Sequence, residues 1–285
     1  METLRSLGYE YREGRLLQLD KDEGFAFVDQ THYDKLADAV LAYVEILLVS
    51  EGNLKPLFCP LGASAAEGCP IYVSEGFESA SKVLLIIQGS GRVRVGVWGC
   101  ALCINKHLDW GTMLPYIKAA ADNSYGVIIL NPNMNAVDGK AIAGSESPAR
   151  HVSYVWENIV KQMCSAAALV DIVAHSNGGR ALCDFLRCTP DAPARIRKVV
   201  LTDSYHSIDQ VRALQPDAVR LLTERCVNYV PHEKPFGTPV DSYISLSHHF
   251  NARDKTCPCL SCEVADHAST NQGALAAAFA FFSKD

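Results

Sequence analysis

Through residues 31–49, Leu36, Val40, Tyr43, Val44, Leu47 and Leu48 recur at steps of three and four. Side chains so spaced share one stripe of a helix, which predicts an amphipathic helix packed on a sheet face. After the turn signal Glu51-Gly52-Asn53, two short β-like pieces at 57–59 and 71–73 flank a small-residue loop at 62–69 and read as edge strands. The pattern then changes to compact apolar runs at 83–87, 126–130, 169–174 and 198–201, each closed by Gly or polar residues. Continuous runs of this length suit strands buried on both faces. Helical stretches at 111–121, 153–167 and 178–188 lie between them, and a last helix is expected at 273–282. Strand and helix in alternation predict an α/β fold, a mostly parallel sheet flanked by helices on both faces. No linker or repeat breaks the alternation, so residues 1–285 read as one domain with 1–75 as an integrated amino-terminal extension. The segment 131–149, rich in Asn, Gly, Ser and Pro after a strand, reads as a lid or rim.

Composition narrows the function classes. With 48% hydrophobic and 20% charged residues the chain is an ordinary globular one, and a formal charge of -6 disfavours nucleic-acid binding through the overall field. Arg92 with Arg94, and Arg195 with Arg197 and Lys198, form short basic clusters that read as solvated surface. The first residues lack the apolar stretch of a signal peptide, and no run of about 18 apolar residues follows, so neither export nor a membrane span is expected. Eleven cysteines, many inside apolar runs, read as reduced and buried thiols rather than a disulfide framework.

The most informative segment is Leu169-Val-Asp-Ile-Val-Ala-His-Ser-Asn-Gly-Gly, in which an apolar strand runs into Ser176 and two glycines open the next helix. A nucleophile on such a strand-turn-helix elbow needs small neighbours, because strand and helix backbones approach closely. The usual G-x-S-x-G stands here as Ala174-His175-Ser176-Asn177-Gly178. Serine requires a base and an orienting carboxylate, which follow in the order Ser, acid, His in α/β hydrolases. Asp203, at the carboxyl end of the next strand, fits as acid, with Asp241 and Asp254 as alternatives. His267, just before the last helix, fits as base. Among nine histidines most are structural, and His206 and His175 read as neighbours of the site.

For the oxyanion, the run 83–87 leads into Gln88 and then Gly89-Ser90-Gly91, whose backbone N–H groups, with that of Asn177, could face a substrate oxygen. The bland reading is a simple Gly-rich turn, and a phosphate loop is disfavoured because no G-K-[ST] follows. Cys257, Cys259 and Cys262, with His248, His249 and His267 nearby, raise a metal site. Their alternation with apolar residues favours a buried strand, so neither a metal nor a cofactor is expected.

Taken together, several segments resemble the Argonaute-binding protein two domain, which is shared with animal cotranscriptional regulators. They are Leu7-Gly8-Tyr9, a strand at 25–27, Gly89-Ser90-Gly91 with Gly96 and Trp98, Ile104-Asn105, Leu108-Asp109-x-Gly111-Thr112 and Pro115-x-Ile117-Lys118. Tyr125-Gly126-Val127-Ile128, Leu130-Asn131-Pro132-Asn133, Tyr154-Val155-Trp156, the elbow, Leu201-Thr202-Asp203-Ser204 with His206, and Asp266-His267 complete the set. The resemblance spans nearly the whole chain and implies an α/β-hydrolase-like fold, with Ser176, Asp203 and His267 at the positions of a triad. It also implies a nuclear or cytoplasmic role in small-RNA-directed silencing, with an Argonaute or a histone-modifying complex as partner. Gln88 stands where relatives often carry His, and the segment 133–149 lacks the long charged insertion of animal relatives. Two functions result: a regulatory adaptor, or a hydrolase of an ester, thioester or other acyl substrate.

Overall fold

The computed structural model describes residues 2–241 and 257–284. Asp254, His248 and His249 lie outside the described residues. A short helix α1 (Glu2–Ser6) and a hairpin of β1 (Tyr9–Arg12) and β2 (Arg15–Gln18) precede α2 (Gln30–Ser50), whose first turn is capped by the Asp29 side chain. Next come β3 (Leu54–Cys59), β4 (Cys69–Ser74), β5 (Lys82–Ile87), α3 (Cys100–Asn105), α4 (Leu108–Gly111), α5 (Leu114–Asp122) and β6 (Gly126–Ile129). A small hairpin of β7 (Ala136–Val137) and β8 (Lys140–Ala141) leads to α6 (Pro148–Val155), which continues into a π-helical turn, Trp156–Val160. The carboxyl half contains β9 (Leu169–His175), α7 (Asn177–Cys188), β10 (Ile196–Thr202), α8 (Ile208–Arg212), α9 (Pro216–Glu224), β11 (Cys226–Val230), β12 (Cys259–Ser261) and α10 (Thr270–Ser283).

One eight-stranded sheet runs β12-β11-β10-β9-β5-β6-β4-β3. β3 and β4 pair antiparallel, as do β4 and β6, and all other neighbours are parallel. Because successive side chains of a strand face opposite sides, β5 feeds both layers of the core. Leu84 and Ile86 meet Val40, Val44 and Phe282 on one face, while Val83, Leu85 and Ile87 meet Val152, Trp156 and Phe185 on the other. These five apolar side chains of β5 are fully buried, each contributing about 1.5–3 kcal/mol by leaving water.

Several expectations change. The strand expected at 25–27 is irregular chain. Of the two strands read as edges, β4 is interior and β3 is an edge, where Pro56 costs no ladder bond to an outer neighbour. The helix expected at 111–121 starts later, at Leu114, and Gly111 instead ends α4, where it packs so tightly on Cys103 that a β-carbon would overlap its sulfur. The helix expected at 153–167 begins earlier, at Pro148 after the Ser147 cap, and loses α geometry at Trp156.

The basic cluster at 195–198 is structural rather than solvated. Arg197 pairs with the fully buried Asp171 and donates to the Tyr125 hydroxyl at 2.8 Å. Lys198, 8% exposed, donates to the Phe281 and Lys284 carbonyls at the end of α10. Among the described residues no helix is long and apolar enough to cross a membrane.

Candidate active site

Parallel strands β5, β9 and β10 end at the same side of the sheet, and each delivers one part of the site there. β9 leads into Ser176, whose φ of 54° and ψ of -124° lie outside the common regions for a side-chain-bearing residue. The surroundings hold it there. Its N–H donates to the Thr202 carbonyl at 3.0 Å, and its carbonyl accepts from Gly179 at 3.1 Å and Tyr205 at 2.9 Å. The glycines have a steric reason. A β-carbon on Gly178 would lie 2.6 Å from the Ile87 carbonyl oxygen and 2.7 Å from that of Gln88, both backbone atoms that cannot swing aside. One on Gly179 would overlap the Ser204 hydroxyl.

β10 delivers Asp203, which is 3% exposed and also left-handed, with φ 44°. Its N–H donates to the Tyr229 carbonyl at 2.7 Å, and the next N–H, of Ser204, donates to the Asn228 side chain at 3.2 Å. Strand β11 therefore fixes the acid turn. His267 Nδ1 stands 2.6 Å from Asp203 Oδ2. A carboxylate accepts, so Nδ1 carries the proton and Nε2 presents a lone pair. The loop bearing His267 is tied at both sides. Thr270 Oγ1 donates to the His267 carbonyl at 2.7 Å, and Asp266 accepts from the Ser269 N–H at 2.9 Å and from Lys106 at 3.0 Å. Of the two alternative acids, Asp241 is exposed and Asp254 lies outside the described residues.

His175 and His206 are both buried. His175, 2% exposed, donates from Nδ1 to the Thr202 carbonyl at 2.9 Å, and its ring centroid lies 4.5 Å from that of His267, tilted by 33°. Burial pushes its pKa down to about 3, so it is neutral at physiological pH. His206, 6% exposed, is hydrogen-bonded to Ser204 Oγ at 2.7 Å, and burial lowers its pKa to about 4. The exposed ring of Tyr205 stands edge-on to His267 at 6.5 Å.

On the other flank, β5 delivers Gly89 against the serine. A β-carbon on Gly89 would lie 2.8 Å from Ser176 Cβ. Ser90 and Gly91 are exposed, and Asn177 is half-buried at the start of α7. Gln88 Nε2 is 3.4 Å from Asn131 Oδ1, and its Oε1 is buried without a protein partner.

The segment 131–149, read as a lid or rim, is cross-braced. The Asn131 N–H donates to His151 Nε2 at 3.0 Å, so His151 donates from Nδ1 to Ser145 Oγ at 2.9 Å, and Ser145 donates to the Met134 carbonyl at 2.9 Å. Each group in this chain has one partner of the right sense. Neither these ties nor β11 beneath the acid is visible in residue spacing. Cys257, Cys259 and Cys262 lie on and beside β12, with the Cys262 thiol 3.5 Å from the Thr270 carbonyl.

A mostly parallel sheet with helices on both faces and a serine on a strained strand-to-helix turn defines an α/β-hydrolase-like domain. Residues 1–141 and 133–236 match the Arb2 domain, and the chain belongs to that family. It is 29% identical over 349 residues to cotranscriptional regulator ARB2A of Mus musculus, covering 99% of this chain and 80% of that one. A FAM172 family protein homolog of Caenorhabditis elegans is 36% identical over 208 residues, 72% of this chain and 66% of that protein. Among solved structures, naproxen esterase from Bacillus subtilis aligns over 90% of this chain and all of its own, at 12% identity and a TM-score of 0.48. A bacterial heroin esterase aligns over 90% and 92%, at 13% identity and a TM-score of 0.47.

Proposed function

We propose that the protein hydrolyses an ester, thioester or other acyl bond at Ser176, within a nuclear or cytoplasmic gene-regulatory role of the kind its relatives' names describe. The observation that supports the chemistry is the 2.6 Å contact of His267 with buried Asp203, with Ser176 held at φ 54° where β9 turns into α7. Ser176 Oγ bonds to the acyl carbon as its proton passes to His267 Nε2, and the carbonyl electron pair moves onto oxygen. That oxyanion is met by the Asn177 N–H and the backbone of the Gly89–Gly91 turn. Collapse expels the alcohol, thiol or amine, which takes the proton from His267. Water then attacks the acyl-serine by the same route in reverse, with Asp203 orienting the imidazole in both halves.

A fluorophosphonate reagent tests this without knowledge of the substrate, because it phosphonylates only an activated serine. Intact mass is expected to show one adduct on the wild-type protein and none on Ser176→Ala or His267→Ala. A folded wild-type protein that stays unlabelled would remove Ser176 as a nucleophile.

The regulatory half rests on family membership. It takes the partner to be an Argonaute or a histone-modifying complex, docked on a scaffold that does not depend on turnover. Affinity purification from the native cell is expected to recover such proteins with wild type and with Ser176→Ala alike. Recovery of none of them would end this part of the reading.

A further inference from the structure

We propose that Asn133 is a positioning residue that aims the oxyanion donor on the Gly89–Ser90 peptide, an inference that rests on the hydrolase reading above. Asn133 Nδ2 donates to the Gly89 carbonyl at 2.7 Å, across 44 residues of sequence. The peptide unit is planar and trans, so its carbonyl and its N–H point in opposite directions. Holding the Gly89 carbonyl on one side therefore fixes the direction of the Ser90 N–H on the other. This peptide begins at the residue pressed against Ser176, where even a methyl group would collide with the serine β-carbon.

Glycine at 89 satisfies that approach but leaves the peptide free to rotate, since glycine tolerates nearly all backbone angles. An external anchor is what a donor loop built on Gly89 and Gly91 lacks within itself. Asn133 supplies it from a segment that is itself tied down. Asn135 donates to the Pro132 carbonyl at 3.0 Å and to the Ser145 carbonyl at 2.6 Å, and Ser145 and His151 complete the brace. Gln88 also reaches Asn131, so residues 88 and 89 are both joined to this segment. Its function in this reading is that of a fixed strut rather than a closing lid. Pre-aimed donors matter because they cost no reorganisation when charge develops.

The test compares wild type with Asn133→Asp and Asn133→Ala. Asp keeps the shape but turns a carboxylate oxygen towards the Gly89 carbonyl, which repels the peptide from its place. Fluorophosphonate labelling is expected to slow by about 10- to 100-fold in both variants, below the 10²–10³ loss typical of deleting a donor outright. Affinity for an alkyl boronic acid, which forms a tetrahedral anionic adduct on serine, is expected to fall by the same factor. Binding of the corresponding uncharged alcohol and the thermal midpoint are expected to stay at wild-type values. Labelling of Asn133→Asp at the wild-type rate overturns the proposal. So does an equal loss of boronate and alcohol binding, or a lowered thermal midpoint that accounts for the slower labelling. If wild type itself is unlabelled, the hydrolase reading has failed and this inference falls with it.

Discussion

Asp203→Asn is expected to lower kcat for a p-nitrophenyl ester by about 10⁴-fold while leaving the protein folded. The carboxylate accepts from His267 Nδ1 at 2.6 Å, which leaves Nε2 unprotonated and able to take the serine proton. An asparagine amide can turn its NH₂ towards the ring, and Nδ1 then accepts while Nε2 carries the proton. That tautomer cannot act as base. Folding should survive because the substitution is isosteric, removes a charge from a position that is 3% exposed, and places at φ 44° a residue that tolerates left-handed backbone well. Steady-state kinetics with a thermal melt as control would measure it. A loss smaller than tenfold in a folded variant would detach Asp203 from the mechanism.

Stability is expected to fall steeply as the pH drops below about 6.5. His151 and His175 are buried with their pKa values pushed down to about 3, and His206 to about 4, in each case chiefly by removal of the charged form from water. In the unfolded chain these rings titrate near the ordinary 6.5. Between the two values the unfolded state binds more protons, so unfolding becomes easier as acid is added. The stabilising contribution is complete above the unfolded value and is lost on the way down to the folded ones. Each histidine contributes a slope of about 1.4 kcal/mol per pH unit well below 6.5, and the three together about 4 kcal/mol per unit. By pH 4, where the first native ring titrates, the loss reaches about 10 kcal/mol, comparable to the whole stability of an ordinary domain at about 5–15 kcal/mol. Urea midpoints between pH 7.5 and 5.0 should record this. His151→Gln should flatten the slope by about a third, since one of three equal contributions is removed. A midpoint constant over that range would show that these rings accept protons in place.

The central strands and the elbow were legible because the signals that make them are local. An apolar run of the length of β9, closed by a serine and two glycines, carries its own turn chemistry. Asp203 and His267 were legible only as positions in an order of residues, and their 2.6 Å contact joins residues 64 apart. What stayed hidden depends on partners that sequence spacing does not reveal. β11 was missed because Asn228 interrupts its apolar run, yet that side chain is 1% exposed and holds the acid turn. Arg197 reads as surface charge until parallel pairing of β9 and β10 sets it beside Asp171. Asn133, in a loop of ordinary turn residues, gains its role only by meeting Gly89.

The shared strand ends have a consequence for how the chain assembles. Gly89, Ser176, Asp203 and His267 come from four separate stretches, and no pair among them meets through local structure. Parallel strands must wait for their crossover helices, and loop closures of this length are slow to form. The candidate site is thus complete only once β12 and α10 have joined β11 and brought His267 to Asp203. An activated Ser176 would in that sense certify that β5, β9 and β10 and the segment before α10 have come together.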